Sequence, residues 1–142
     1  MDRTFGAEAA RDGVLLLARL LMMVLFVTAG VSKLTGFAGT VAYFVHDGVP
    51  MPALAAAIAV VMELVVGLAI VVGLWTRPLA LLMAVYTLGT AILGHHFWTF
   101  TGMDRLQNTI HFFKNISIIG GLLALYVTGA GRFSIDRRLG LA

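Results

Sequence analysis

Three ionisable side chains interrupt long apolar stretches of this sequence. Arg19 lies in LLLARLLMM, Glu63 in AVVMELVVG and Lys114 in FFKNISIIG. A charged group inside a membrane span is costly, and it usually faces the interior of a helix bundle, where it pairs with another group or lines a ligand path. These three positions therefore predict a polar interior.

Helical spacing connects further polar residues to these positions. Residues three or four apart share one helix face, which places Lys33 on the face of Arg19. The same spacing puts Asn108, His111 and Asn115 in one row, beside Lys114. We expect these rows to turn inward and to form a polar cluster in one half of the bundle. The candidate ligand-binding residues are Lys33, Glu63, His95, Asn108, His111, Lys114 and Asn115.

Arg19 and Glu63 carry opposite charges and are the candidates for a buried ion pair. Such a pair either fixes the register of two helices, a role known for some buried polar groups, or belongs to a functional site. Lys33 has its own alternative, because a lysine near a helix end can extend its amine to the lipid headgroups. The sequence leaves these alternatives open.

No self-contained catalytic or metal-binding motif is evident. His95 and His96 are adjacent, so on a helix they would point about 100° apart and would not form an i, i+4 chelating pair; we predict no metal site. A Gly-rich phosphate loop and a nucleophile elbow are both missing. The chain has no cysteine, so it cannot itself perform thiol–disulfide or Fe–S chemistry. The catalytic residues, if any, are unknown.

The elements that must position these residues are membrane-spanning helices. Hydrophobic residues make up 60% of the 142 residues and charged residues 12%, whereas a soluble domain has about 25% charged residues. A helix needs about 20 residues to cross the hydrocarbon core, and four apolar runs have about that length. We predict an all-α transmembrane four-helix bundle in a single domain, residues 1–142, with interfacial segments outside the membrane. The predicted spans are residues 14–34, 52–75, 78–94 and 109–128.

The basic residues predict how the bundle is oriented. With four spans, both termini lie on one side. That side would hold most of the arginines, whereas Lys33 and Arg105 lie on the other. The positive-inside rule therefore places the N- and C-termini in the cytoplasm. The basic residues form no stripe that could follow a phosphate backbone, so we expect no nucleic-acid partner. The arginines on the predicted cytoplasmic side are Arg3, Arg11, Arg77, Arg132, Arg137 and Arg138.

Three segments carry a resemblance to a known family. They are ARLLMMVLFVTAGVSKLTGFAGT, GLAIVVGLWTR after Glu63, and HFFKNISIIGGLLALYVTGAGRFSID. Together they resemble the DoxX family of small integral membrane proteins, in its YphA/YqjF-like branch, over residues 16–136. The resemblance implies a four-helix bundle in the bacterial inner membrane and a role as a membrane component of an oxidoreductase system. Members of the wider family include a thiosulfate:quinone oxidoreductase subunit and an anchor grouped with superoxide dismutase and a sulfurtransferase.

Three functions fit these observations. The first is a membrane redox subunit that binds a quinone or a similar lipid-soluble molecule at the polar cluster. The second is a non-enzymatic anchor or scaffold for soluble redox or sulfur-transfer enzymes at the cytoplasmic face. The third is a small-solute or lipid transporter, which with four spans would need a homo-oligomer. The small-xxx-small pairs Ala80/Ala84 and Ala55/Ala59 could form a helix–helix interface for such an oligomer.

Overall fold

The computed structural model describes residues 7–141 and shows no strand in that range. Within it, four helices are long and apolar enough to cross a membrane. Three short helical elements connect or follow them. The long helices are α1 (Ala7–Thr35), α3 (Pro52–Val72), α4 (Thr76–Gly94) and α5 (Gly102–Thr128), and the short elements are α2 (Phe37–His46), a 3₁₀ turn (Phe97–Thr99) and α6 (Ile135–Arg138). The predicted all-α four-helix membrane fold is confirmed.

Several helix ends differ from the prediction. Helix α1 begins at Ala7 and α5 at Gly102, each seven residues before the predicted span, because hydropathy detects the part inside the hydrocarbon and not the polar turns that continue the helix beyond it. Helix α3 ends earlier than predicted, because Gly73 adopts the left-handed conformation with a φ of 71°. That conformation is a common helix C-terminal signal for glycine.

The bundle has a small apolar core and an apolar exterior. Met23, Ile70, Met83 and Leu122 are fully buried between the helices. Large apolar side chains such as Val127, which is 69% exposed, cover the outside of the bundle. An exterior of this composition is suited to contact with lipid rather than water.

Helix α3 departs from regular geometry at its centre. Residues Val61–Val66 form a π-helical segment that contains Glu63. Helix α1 contacts this segment at Gly30, where an added Cβ atom would lie only 2.8 Å from the backbone nitrogen of Leu64. Glycine is therefore required at this crossing if the two backbones are to approach so closely. π-Helical turns inside α-helices are frequently found at functional sites.

The C-terminal segment folds back onto the turn between α3 and α4. The Asp136 carboxylate accepts hydrogen bonds from the backbone N–H groups of Trp75, at 2.6 Å, and Thr76, at 2.8 Å. It thereby caps the N-terminus of α4, and it also holds Trp75 in a left-handed conformation with a φ of 46°. The Asp12 carboxylate on α1 accepts a hydrogen bond from the backbone of Arg132 at 2.8 Å. These contacts bring the start of α1 and the tail to one end of the bundle, called the terminal end below.

The opposite end carries the two longer connections. Helix α2 has no buried residue, as expected of an interfacial segment. The second connection forms an aromatic cluster with the start of α5, in which the rings of Phe97 and Phe112 are 5.4 Å apart and those of Trp98 and Phe112 are 6.0 Å apart. This cluster covers the end of the α4–α5 pair.

The small residues considered for an oligomer interface pack inside the chain instead. Ala80 and Ala84 are 0% and 5% exposed, and Ala59 is 3% exposed. Ala59, Ala80 and Ala84 therefore serve helix packing within this bundle, whereas Ala55 is only half-buried. Of the paired glycines in α5, Gly121 lies against the side chain of Met22, whereas Gly120 has no neighbouring atom within 4 Å of an added Cβ atom.

Candidate functional site

Glu63 lies at the centre of a network that joins three helices. Its Oε2 atom accepts a hydrogen bond from Lys33 Nζ on α1 at 2.7 Å, and its Oε1 atom accepts one from the Tyr86 hydroxyl on α4, also at 2.7 Å. Glu63 is 6% exposed. Both carboxylate oxygens are thus engaged, as a buried charge requires.

The local backbone explains why Lys33 reaches Glu63. Gly30 lets α1 approach the π-helical segment of α3, and its added Cβ atom would lie 3.1 Å from the carbonyl carbon of Glu63. Lys33 follows Gly30 by three residues and so lies on the same face, about one turn further along α1. The close crossing therefore presents the lysine to the carboxylate.

Arg19 and Glu63, the two candidates for a buried ion pair, do not pair with each other in the structure. Glu63 pairs with Lys33. Arg19 is fully buried at the terminal end, where its Nη2 atom donates a hydrogen bond to the carbonyl oxygen of Phe133 and its guanidinium packs against Gly73. Gly73 follows Glu63 by ten residues, or about 15 Å along a helix axis, so the two charges belong to different ends of the interior.

A second polar contact lies one turn along α4 from the Glu63 network. Asn115 on α5 is 6% exposed, and its Nδ2 atom donates a hydrogen bond to Thr90 Oγ1 at 3.2 Å. Thr90 follows Tyr86 by four residues and therefore lies one turn further along the same face of α4. Tyr86 and Thr90 thus form a polar row that links α4 to both α3 and α5.

A third polar group follows at the end of α4. The Nδ1 atom of His95 lies 3.1 Å from Asn108 Oδ1, and its ring stacks on that of His111 with the centroids 5.0 Å apart. Lys114 Nζ lies 3.0 Å from His111 Nδ1. His95, Asn108, His111 and Lys114, which were predicted to act in one region, are therefore brought together.

The adjacent histidines do not share a helix. His95 is the first residue after α4, and the Nδ1 atom of His96 lies 3.0 Å from the carbonyl oxygen of Leu93. Across residues 7–141, no group of three or more histidine, aspartate or glutamate side chains is placed to hold a metal ion.

These polar groups border a cavity of about 450 Å³ between the helices, called the membrane cavity below. Most of its wall is apolar, and Leu25 and Ile58 are lining residues that are also 44% and 48% exposed on the outer surface. The cavity therefore reaches the lipid-facing side of the bundle. Asn108 and His111 stand behind His95 and Lys114 and are not part of the wall. The polar residues of the wall are Lys33, Tyr43, Glu63, Tyr86, Thr90, His95, Lys114 and Asn115.

Tyr43 and Tyr86 are polar lining residues that were not among the candidates from the sequence. Tyr86 precedes Thr90 by four residues, so helical spacing would have placed it in the same row. Tyr43 lies on α2 outside the spans, and its pKa is raised, chiefly by burial and also by the nearby Asp47 carboxylate. Tyr43 is 55% exposed and lines the membrane cavity from α2.

Four membrane-spanning helices around an ion pair and an apolar cavity define a small multi-pass integral membrane protein. The chain belongs to the DoxX family, whose model matches residues 14–96. It is 51% identical to inner membrane protein YphA of Escherichia coli K12 over 136 residues, which cover 96% of this chain and 97% of the relative. It is 44% identical to inner membrane protein YqjF of the same organism over 128 residues, or 90% and 93% of the two chains. No solved structure matches the chain.

These relatives bear out two predictions from the sequence. The resemblance to the DoxX family is confirmed by the family model and by both relatives. The inner-membrane location is confirmed by the relatives together with the four apolar helices. The chain is therefore an inner membrane protein of this family.

Proposed function

We propose that this protein binds a quinone or a similar lipid-soluble molecule in the membrane cavity and acts as the membrane subunit of a redox system. The observation that carries the proposal is the composition of the cavity wall. An apolar cavity with a few converging polar groups is the usual form of a small-molecule site. Its volume, about 450 Å³, is within the range of about 300–1,000 Å³ that such sites have.

The polar groups match the carbonyl oxygens of a quinone ring. Asn115 uses one of its two side-chain N–H groups on Thr90, and Lys114 uses one of its three on His111. Each residue keeps at least one donor for a ligand oxygen. The apolar wall, which includes Phe26, Ala59 and Leu93, suits the ring and the start of an isoprenoid tail.

Reduction of a quinone to a quinol consumes two electrons and two protons. Within the proposal, the Glu63–Tyr86 pair and His95 are the wall groups that exchange protons with the ligand, and His111 stacks on the His95 ring outside the wall. The chain has no cysteine and hence no thiol that could deliver electrons. We therefore assign the electron supply to a soluble redox enzyme bound at the membrane surface.

Mass spectrometry of the molecules that co-purify with the protein in mild detergent tests the proposal. The wild type should retain about one quinone per chain, and Lys114→Met should lose it because a donor to the ring oxygen is removed. The matched control is Arg105→Met, which removes an exposed cation from the same helix outside the membrane cavity. Retention should be unchanged in that control.

Two results would contradict the proposal. A wild-type protein that carries only bulk phospholipid, even after incubation with added ubiquinone, would leave the anchor or scaffold function as the better account. Equal loss of quinone from Lys114→Met and Arg105→Met would show that binding does not depend on the cavity. Circular dichroism of both variants establishes that the helices are retained.

A further inference from the structure

A second cavity, of about 530 Å³, lies at the terminal end of the bundle. It is bordered by the start of α1, the α3–α4 turn and the C-terminal tail, and is called the arginine cavity below. Four arginines and two aspartates line it, so its ionised side chains favour anions. The charged lining residues are Arg11, Arg77, Arg132, Arg137, Asp12 and Asp136.

The two aspartates are already committed to the backbone. Asp12 accepts the N–H of Arg132, and Asp136 accepts those of Trp75 and Thr76. Among residues 7–141, neither carboxylate forms an ion pair with an arginine side chain. The guanidinium groups therefore keep most of their capacity to bind an anion.

Buried polar atoms next to this cavity also favour the binding of an anion. Thr76 lines the cavity and is fully buried, and its Oγ1 atom has no hydrogen-bond partner within the described chain. Arg19 is fully buried beside Gly73 and Ser134, next to the cavity wall. Its Nε and Nη1 atoms also have no partner among residues 7–141. The Asp136 carboxylate offsets part of this buried charge, and the remainder adds to the positive potential at the cavity.

Arg77 differs from the other three arginines because it makes two hydrogen bonds to the end of α5, whereas Arg11 makes one long bond there, of 3.5 Å, to the carbonyl oxygen of Thr128. The Nη1 atom of Arg77 donates hydrogen bonds to the carbonyl oxygens of Tyr126, at 3.1 Å, and Val127, at 2.8 Å. These are terminal carbonyls of α5, which otherwise have no helical partner. Arg77 thus forms a fixed wall of the cavity. Arg11, Arg132 and Arg137 are exposed lining residues, so their side chains can reorient toward a ligand.

We propose that the arginine cavity binds a phosphate group. The planar guanidinium fork matches two oxygens of a phosphate, and several arginines around one pocket are the usual means of holding it. Trp75, which is 60% exposed, and Leu141, which is 53% exposed, stand at the rim. Such side chains are typical of the headgroup region, where basic pockets between membrane helices bind anionic lipids. The phosphate could equally be a soluble anion, and the test separates the two sources.

Native mass spectrometry and thermal unfolding of the detergent-purified chain measure the binding. The probes are phosphatidylglycerol, phosphatidylcholine and inorganic phosphate, each added alone, and inorganic phosphate is also added to protein that already carries phosphatidylglycerol. Phosphatidylglycerol should bind and raise the unfolding midpoint, and phosphatidylcholine should not. Arg137→Gln should weaken this binding about tenfold, as expected for the loss of a charge-assisted hydrogen bond.

The neighbouring residue provides a matched control. Arg138 carries the same charge one position further along α6 and does not line the cavity. Arg138→Gln should therefore bind phosphatidylglycerol within about twofold of the wild type, since removing a cation outside the pocket takes away only general attraction to the anionic surface. Arg132→Gln is a second test variant, in case Arg137→Gln lowers the unfolding midpoint without any ligand.

Competition between the probes distinguishes a lipid headgroup from a soluble phosphate as the ligand. Displacement of phosphatidylglycerol by millimolar inorganic phosphate, with a midpoint increase that Arg137→Gln abolishes, would identify a soluble phosphate as the ligand of the same site. Binding of phosphatidylglycerol that phosphate cannot displace would identify the lipid. Equal weakening of binding by Arg137→Gln and Arg138→Gln would overturn the proposal. So would the absence of binding of both phosphatidylglycerol and inorganic phosphate.

Discussion

Lys33 on α1 donates a hydrogen bond of 2.7 Å to Glu63 on α3, three residues beyond the glycine at which the two helices touch. The contact joins Lys33, the second ionisable residue of the predicted span 14–34, to the only acidic residue of α3. The Tyr86 hydroxyl adds a third helix, α4, to the same carboxylate. One carboxylate therefore sets the mutual register of three helices and at the same time forms part of the cavity wall.

The Lys33–Glu63 pair should show strong energetic coupling. Lys33→Met or Glu63→Gln alone leaves one buried group without its partner, and each should lower the free energy of unfolding. The double variant removes both charges and should recover much of that loss, because a neutral pair needs no compensation. We expect a coupling free energy of about 1–3 kcal/mol from thermal or denaturant unfolding in detergent. Strictly additive losses would show that the two residues act independently.

Gly30→Ala should destabilise the bundle, because the new methyl group would lie 2.8 Å from the backbone nitrogen of Leu64. The helices must separate to accept it, at a cost of about 1–3 kcal/mol. Gly120→Ala is the matched control, since nothing lies within 4 Å of its added Cβ atom and alanine favours a helix. Unfolding midpoints should fall for the first variant and stay the same or rise for the second. The opposite order would contradict the close crossing of α1 and α3.

Asp136→Ala should weaken the start of α4. The substitution leaves the N–H groups of Trp75 and Thr76 without an acceptor, and the loss of an N-terminal cap costs about 1–2 kcal/mol. Asp104→Ala is the control, because Asp104 lies in the first turn of α5 and is exposed. Hydrogen exchange of the first turn of α4 should accelerate only in Asp136→Ala. Unchanged exchange there would argue against the cap.

Arg19→Met should release the C-terminal tail. The buried guanidinium donates to the carbonyl oxygen of Phe133, and a hydrogen bond of a charged group contributes about 1.5–3 kcal/mol. Trypsin should then cleave after Arg132 about tenfold faster, because cleavage follows the population of the open tail. Leu20→Met, an exposed neighbour on α1, should leave the rate unchanged. Equal rates in both variants would show that Arg19 does not hold the tail.

The predicted cytoplasmic location of both termini is directly testable, because the chain has no cysteine. Arg138→Cys places a thiol at the terminal end and Met103→Cys places one at the opposite end, where Met103 is 65% exposed. A membrane-impermeant maleimide added to intact cells should label only Met103→Cys. Labelling of Arg138→Cys alone would reverse the orientation.

The sequence predicted the fold well because lipid imposes few solutions. A run of about 20 apolar residues has to be a helix there, and buried charges have to face inward. For the same reason the inward-facing candidates lie near one another: Lys33, Glu63, His95, Lys114 and Asn115 all line one cavity.

The pairing inside that cavity could not be derived from helix faces alone. Arg19 and Lys33 share one face of α1, and the sequence indicated only Arg19 as a candidate partner for Glu63. A shared face does not tell which of two residues lies at the level of Glu63 in the packed bundle. The π-helical segment at Val61–Val66 shifts the faces of α3 by a residue, and neither hydropathy nor spacing signals it. Lys33 pairs with Glu63 because Gly30 lets the backbones of α1 and α3 approach closely at that level. This close approach is a property of the packed pair of helices.

The placement of the two lysines has a consequence for chemical labelling. The chain has ten basic residues, of which only Lys33 and Lys114 are lysines, and both line the membrane cavity. Arginine supplies the positive charge elsewhere. Apart from the α-amino group, every primary amine of the protein therefore borders one internal space. A small lipophilic reagent that acylates amines would modify that space selectively, and protection from it would report directly on whether the space is occupied.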